Sequence, residues 1–248
     1  MRRLVLFSVF GFFACGGGDA SRGGGDDAAQ AAVAPLGNST IAGVVTFDGM
    51  PPANATIDMS EEAACAEKYA NGAINPVVTV TDGMLANVFI RVTSGLPAGP
   101  YPHAPAVTID QDGCLYHPRV VGVMVGQDLA VTNSDAVLHN IKAVPTQNRP
   151  FNISQPRAGM TSTRSFTTPE TMVPLECNVH GWMNAYVGVV DHPYFAVSGA
   201  DGSFSIGGLP AGTYTLDAWH ETLGTRTMQV EVAAGGTMSV TFVYGPTT

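Results

Sequence analysis

Charge is scarce in this chain. Asp, Glu, Lys and Arg make up only 12% of its 248 residues, about half of the roughly 25% usual in globular domains. Cations are scarcer still: 11 Lys and Arg stand against 20 Asp and Glu, a formal net charge of −9, and Lys68 and Lys142 are the only lysines. Such a chain lacks the basic face that a phosphate backbone needs, which argues against nucleic acid as a partner. It also lacks a polybasic patch for a membrane surface. No apolar stretch reaches the roughly 18 residues needed to span a bilayer. No Gly-rich phosphate loop, paired catalytic carboxylates or Ser-His-Asp order stands out.

Turn formers and small residues take the place of charge. Gly (29) and Pro (17) are abundant, while hydrophobic residues still reach 45%. A chain of this kind folds, and solvates itself through Ser, Thr, Asn and Gly. From Ser39 onward short β runs alternate with turn signals: TIAGVVTF (40–47), VVTVT (77–81), LANVFIRV (85–92), AVTID (106–110), VVGVMV (120–125), DLAVTN (128–133) and LHNIKAV (138–144), with further runs to the C-terminus. Asp82-Gly83-Met84 marks a hairpin. Only residues 60–70 look helical, with Ser60 as N-cap and Glu61 and Glu62 in the first turn. Many short strands at close spacing predict an all-β chain of two sandwich modules.

The N-terminus reads MRRLVLFSVFGFFAC. Arg2 and Arg3 precede a short apolar segment, Leu4–Ala14, which is the pattern of a secretory signal. The small Ala14 before Cys15 resembles a bacterial lipoprotein cleavage box, which implies that Cys15 carries a lipid and anchors the chain to a membrane. Residues 1–14 are thus the signal peptide, and the Gly-rich stretch 15–37 is a flexible tether. Export implies an oxidising compartment. With Cys15 lipidated and Cys177 in a ligand-like cluster, Cys65 and Cys114 remain as a predicted disulfide.

That cluster is Glu176-Cys177-Asn178-Val179-His180-Gly181-Trp182-Met183, which contains C-x2-H-x2-M. His139, followed by Asn140, ends an earlier strand-like run. Two imidazoles, a thiolate and a thioether are the donor set of a mononuclear blue-copper site. A short loop turns Cys177, His180 and Met183 toward one point, and His139 reaches it from a neighbouring strand. Zinc is disfavoured because Met is a poor ligand for it. A binuclear copper centre would need a second Cys in the loop. A Cys–His hydrolase lacks an orienting third residue.

These residues, together with V-G-Q-D-L-x-V-T-N-S-D-x-x-x-H-N (125–140), resemble the cupredoxin family, with the loop length of the amicyanin type. The resemblance covers residues 75–192. It implies a Greek-key sandwich with one type 1 copper held by His139, Cys177, His180 and Met183, and Asn140 bonding across to the Cys loop. It also implies single-electron transfer through an exposed edge of His180 and no chemical transformation of a substrate. Trp182 either packs beside the loop or stands in an apolar rim where a redox protein docks. A c-type cytochrome or a copper oxidase would serve as partner. Glu176 departs from the aromatic or apolar residue often found before the Cys, and would either lower the potential or point to solvent.

The segments 41–57 (IAGVVTFDGMPPANATI) and 196–219 (AVSGADGSFSIGGLPAGTYTLDAW) resemble the carboxypeptidase-regulatory-like, transthyretin-like module. Gly-Ala-Asp-Gly and Leu-Pro-Ala-Gly would supply its left-handed turn positions. The expected organisation is a transthyretin-like sandwich, residues 38–60 and 193–248, split by a short helical connector (61–74) and the copper domain (75–192); the alternative is two sequential domains, the copper domain flanked by the transthyretin-like one, with 38–60 pairing locally. Two other functions stay open: a copper-binding or copper-delivery lipoprotein without redox work, and a cell-surface interaction or carbohydrate-binding module. His103, His117 and His192 are expected to be structural. His220 ends a strand and would be able to face the copper module.

Overall fold

The computed structural model describes residues 36–102 and 104–246, so the expectations for the signal peptide, Cys15 and most of the tether lie outside it. The described chain is almost entirely β, with a single four-residue helix, Ala63–Ala66. The strands build four sheets that enclose two hydrophobic cores, and a two-stranded ribbon, Thr56–Ile57 with Ala73–Ile74, stands apart.

The first core lies between two sheets. One runs in the order Ser203–Leu209, Ser39–Phe47, Met84–Leu85, Val80–Thr81, with Thr237–Tyr244 also paired to Ser39–Phe47. The other runs Phe195–Val197, Phe89–Ser94, Gly212–His220, Gly224–Val232. Alternation makes these strands: along Gly212–His220 the side chains of Tyr214, Leu216, Ala218 and His220 are buried and their neighbours are not. The segment 40–47 thus hydrogen-bonds to the C-terminal strands, antiparallel to Ser203–Leu209 and parallel to Thr237–Tyr244.

The second core lies between the sheet Met160–Arg164, Leu129–Asn133, Val107–Asp112, Leu115–His117 and the sheet Phe151–Gln155, His139–Ala143, Glu170–Glu176, Asn184–Val190, Val120–Met124. Val120–Met124 is buried along its whole length. One face fills the second core with Val121 and Val123, and the other meets the first sandwich through Val120 and Met124.

Two expected boundaries differ. Residues 75–94 were assigned to the copper domain, yet Phe89–Ser94 pairs with Gly212–His220 and Phe195–Val197, and Val78, Leu85, Ile90 and Val92 belong to the first core. Conversely, Ile57, Met59, Cys65 and Ala73 bury themselves in the second core, so the stretch 57–73 packs as part of it. An alternating pattern states that a strand has one apolar face but not which sheet will cover it.

The helix is shorter than the predicted 60–70. Its N-cap is Glu62, which makes no side-chain cap, while the Ser60 amide bonds to Asp58. The hairpin at Asp82-Gly83 is as expected: φ is 51° and 77°, and Thr81 faces Met84. In the second turn pair, Gly202 (φ 69°) takes a left-handed position, but the other belongs to Gly208 (φ 77°), just ahead of Leu-Pro-Ala-Gly.

Candidate metal centre

His139 opens a strand and Cys177 follows the end of the next strand in the sheet, Glu170–Glu176. Lys142 lies opposite Glu176 in that pairing, which brings the two strand ends together. The loop 177–183 closes on itself: the Cys177 amide donates to the Met183 carbonyl (3.3 Å) and the Met183 amide to the His180 carbonyl (2.9 Å). Such a closed loop turns Cys177 and His180 to one side.

The result is a buried cluster. One ligand atom each from His139, Cys177 and His180 lie within 4.8 Å of one another. The Nδ1 atoms of His139 and His180 are 2.9 Å apart, and Cys177 Sγ is 4.0 Å from His180 Nδ1. Exposure is 0% for His139, 3% for Cys177, 2% for His180 and 0% for Met183, which sits at the end of the same loop.

The surroundings set the state of each group. Asn140 Oδ1 accepts the Asn178 amide at 2.7 Å and lies 3.4 Å from Cys177 Sγ, so Asn140 does bridge to the Cys loop. Tyr116 Oη donates to the carbonyls of Asn140 and Glu176 and ties the two strands at the site. The His180 amide points at Cys177 Sγ from 3.4 Å. Burial by itself would raise the Cys177 thiol, but the facing His139 ring and nearby backbone amides outweigh it and hold the thiol below its ordinary value.

One residue that the sequence reading passed over organises the first imidazole. Asp135, in the loop that leads to His139, accepts a hydrogen bond from His139 Nε2 (2.8 Å), the Cys114 amide (2.7 Å) and the Gly113 amide (3.1 Å), and pairs with Lys68. Burial disfavours its charge, yet the donors from His139, Lys68 and Cys114 keep its carboxyl well below the usual range. An ionised carboxylate only accepts, so His139 Nε2 carries the hydrogen and Nδ1 is turned to Cys177 and His180. Asn133 shapes the loop by accepting the Asp135 amide and donating to the Val137 carbonyl. The only local signal was an acidic residue four positions before the His.

The donor set fits a soft or borderline ion. Two nitrogens and a sulfur converge, with His139 held by Asp135 and Cys177 by Asn140, and the fully buried Met183 ends the same loop. One metal ion, or one shared proton, satisfies the two facing Nδ1 atoms.

The exposed edge expected for His180 is a correction. His180 Nε2 lies 3.9 Å from Cys65 Sγ, and the ring stacks at 5.1 Å from Trp182. Cys65 and Cys114 form the expected disulfide, with Cα atoms 5.7 Å apart. Trp182 is half-buried and donates from Nε1 to the Cys114 carbonyl at 3.0 Å, so it braces the disulfide and is no free rim. The apolar side chains that do reach solvent beside the site are Leu138 (41%) and Val179 (47%). Glu176 pairs with Lys142 at 2.9 Å.

The other described histidines lie away from the cluster. His117 is exposed, His192 bonds the Val92 carbonyl, and His220 is buried in the first core, with its Nδ1 toward the Thr222 and Leu223 amides. His220 therefore does not face the metal cluster. His103 lies outside the described residues.

Comparison with known proteins gives low-identity likenesses. The family model for polysaccharide lyase family 4, domain II, matches residues 161–240. No curated protein matches the chain. Among solved structures, a Cu-containing nitrite reductase (NirK) from Thermus scotoductus SA-01 is similar at 22% identity and a TM-score of 0.32. That match covers 39% of this chain and 24% of the reductase, so it spans about a quarter of that protein. A purple cupredoxin from Nitrosopumilus maritimus is similar at 22% identity and a TM-score of 0.29, over 33% of this chain and 97% of that one. A mutant amicyanin in its Cu(I) form is similar at 20% identity and a TM-score of 0.31, over 40% of this chain and 97% of that one.

Proposed function

We propose that this chain is an exported, lipid-anchored carrier of single electrons that holds one copper ion. The observation that carries this reading is the convergence of His139 Nδ1, His180 Nδ1 and Cys177 Sγ in a buried, hydrogen-bonded cluster. His139, Cys177 and His180 would be the three strong ligands, with Met183 as a weaker fourth. Bound copper would supply the one-electron chemistry, and no substrate would be transformed.

The chain's own residues do the rest. Asp135 holds the His139 ring in one tautomer. Asn140 holds the Cys loop to the adjacent strand. Tyr116 locks the two strands, so the donors keep one geometry. The cluster is buried, which limits access of water as a competing ligand. Between the site and solvent stand the disulfide and Trp182, so a redox partner (a c-type cytochrome or a copper oxidase) would approach that cover rather than a bare imidazole. The negative net charge suits a partner with a basic docking face. The first sandwich would be a transthyretin-like module whose strands close around the copper-binding one.

The burial of His180 Nε2 favours a second reading, a lipoprotein that holds or delivers copper without redox work. One experiment separates them. Cu(II) is added to the metal-free protein. The electron-carrier reading expects an intense blue thiolate-to-copper band that bleaches within seconds with ascorbate, returns on oxidation, and is absent from Cys177→Ala. Binding without that band, or without reversible bleaching, leaves the holding reading.

A further inference from the structure

Residues 58–72 lie over the far side of His180. Their one covalent tie to the body is Cys65–Cys114. The other ties are few: Met59 at the start of the stretch is buried in the second core, Ala66 and Tyr69 pack partly against it, Lys68, itself 40% exposed, reaches Asp112 at 3.1 Å and Asp135, and Tyr69 Oη donates to the Gly113 carbonyl at 2.7 Å. The helix in this segment has four residues and no side-chain cap, too short to persist on its own.

The partner end is built differently. Cys114 sits at a hairpin tip with φ 56°, next to Gly113 at φ 64°, a left-handed conformation that costs energy for a residue with a side chain. It persists because the structure around it over-determines it. Asp135 accepts both amides, and Trp182 Nε1 bonds the Cys114 carbonyl. One end of the disulfide is therefore fixed, and the other carries a segment in which, between the buried Met59 and Ala73, Cys65 is the one buried side chain.

We propose that Cys65–Cys114 is a thiol-responsive latch: intact, it seals residues 58–72 over His180, and opened by an external dithiol it frees that segment and exposes the imidazole edge. In the opening step the dithiol attacks one sulfur and forms a mixed disulfide. Its second thiol then displaces the protein sulfur. The protein gains two electrons and two protons as Cys65 and Cys114 thiols, and the reagent leaves as a disulfide. Reoxidation closes the cover. The latch itself needs no metal; its use, control over when copper or a redox partner reaches His180, rests on the reading above.

The test uses the full metal-free chain in three forms: disulfide-bonded, reduced by tris(carboxyethyl)phosphine, and the Cys65→Ser/Cys114→Ser variant. Diethyl pyrocarbonate labelling of His180 is read by peptide mass spectrometry, and deuterium uptake is followed over residues 58–72. The latch expects His180 to label about tenfold faster or more in both opened forms, with protection lost over 58–72 and kept over Asn184–Val190. Labelling within about twofold across the three forms, with 58–72 still protected, overturns it. If the serine variant loses protection throughout, the reduced wild-type protein decides the matter. Copper titration of the disulfide form separates the two claims: no copper bound with faster labelling on reduction defeats the metal reading and keeps the latch, and the converse pattern does the reverse.

Discussion

Arg119 and Glu221 meet in a two-point ion pair, Nε to Oε1 at 2.5 Å and an η nitrogen to Oε2 at 2.8 Å, with both side chains only 6% exposed. Arg119 leads into Val120–Met124 of the sandwich that holds the His139, Cys177 and His180 cluster, and Glu221 follows Gly212–His220 of the other. Beside them Tyr186 and Trp219 pack at 5.2 Å. The contact is a buried charged pin between two sheets. Removing one partner strands the other charge away from water. Glu221→Ala is expected to cost about 3–5 kcal/mol in urea unfolding, while Arg119→Met/Glu221→Leu costs far less. A single-variant cost under about 1 kcal/mol contradicts the pin.

Gly122 and Gly188 are directly opposite in the parallel pairing of their strands. Together they leave a notch for the Phe89 ring: a Cβ on Gly188 would stand 2.5 Å from Phe89 Cζ, and one on Gly122 would stand 2.7 Å from Phe89 Cε2. Gly188→Ala is expected to destabilise by about 1–3 kcal/mol, because the packed ring has no room to withdraw. Phe89→Leu in the same background should recover part of that loss, and a double-mutant cycle measures the coupling. Strictly additive effects would show that the notch is not what the glycines provide.

Asp135→Ala removes the acceptor that fixes His139 and strips Lys68 of its buried partner. Copper affinity, measured by competition with a chelator, is expected to fall about 10–100-fold, and Asp135→Asn to fall less because it can still accept. A loss under about threefold in the alanine variant would mean that the ring is held by packing alone.

His220 carries a pH signature in the first core. Burial pushes its pKa down to about 4, whereas the unfolded chain titrates near the ordinary value of about 6.5. Above both values the two states are neutral there and the residue contributes no slope. As pH falls from about 6.5 toward 4, only the unfolded chain takes up the proton, so stability drops by up to roughly 3 kcal/mol. His220→Asn keeps an acceptor for the Thr222 amide and cannot charge. Its unfolding free energy should be flatter over that window, and an unchanged slope would assign the acid sensitivity elsewhere.

How much of the site could be read in advance follows from sequence distance. Cys177, His180 and Met183 sit in one short loop, so their spacing already states that they share a neighbourhood. His139 was legible because the run 125–140 resembles the strand leading to a cupredoxin's first ligand, although the strand begins at His139 instead of ending there. The Cys65–Cys114 pair is legible from the number of cysteines once two of the four are set aside for a lipid and a ligand. Three features were out of reach: Asp135 turning back to His139, Lys68 arriving from residues 58–72 to pair with it, and Cys65 covering His180 Nε2. Each depends on where a loop lands, and a loop's landing place is set by packing on other strands, not by its own composition. The expected bare edge of His180 failed for that reason.

The strand pattern told a similar story. Phe89, Ile90 and Val92 announce a strand, but the same residues would serve in either sandwich. Pairing with Gly212–His220 selects the first. Local chemistry, then, was settled by the order of residues alone: an all-β chain, its turns, and a loop carrying a thiolate, an imidazole and a thioether at fixed intervals. Which sheet each strand joined, what lay over the second imidazole, and which charges were buried together were settled only by the folded whole. Apolar alternation supplies a face without an address. The address comes from long-range contacts, where strand pairing and close packing accept one neighbour and reject the rest.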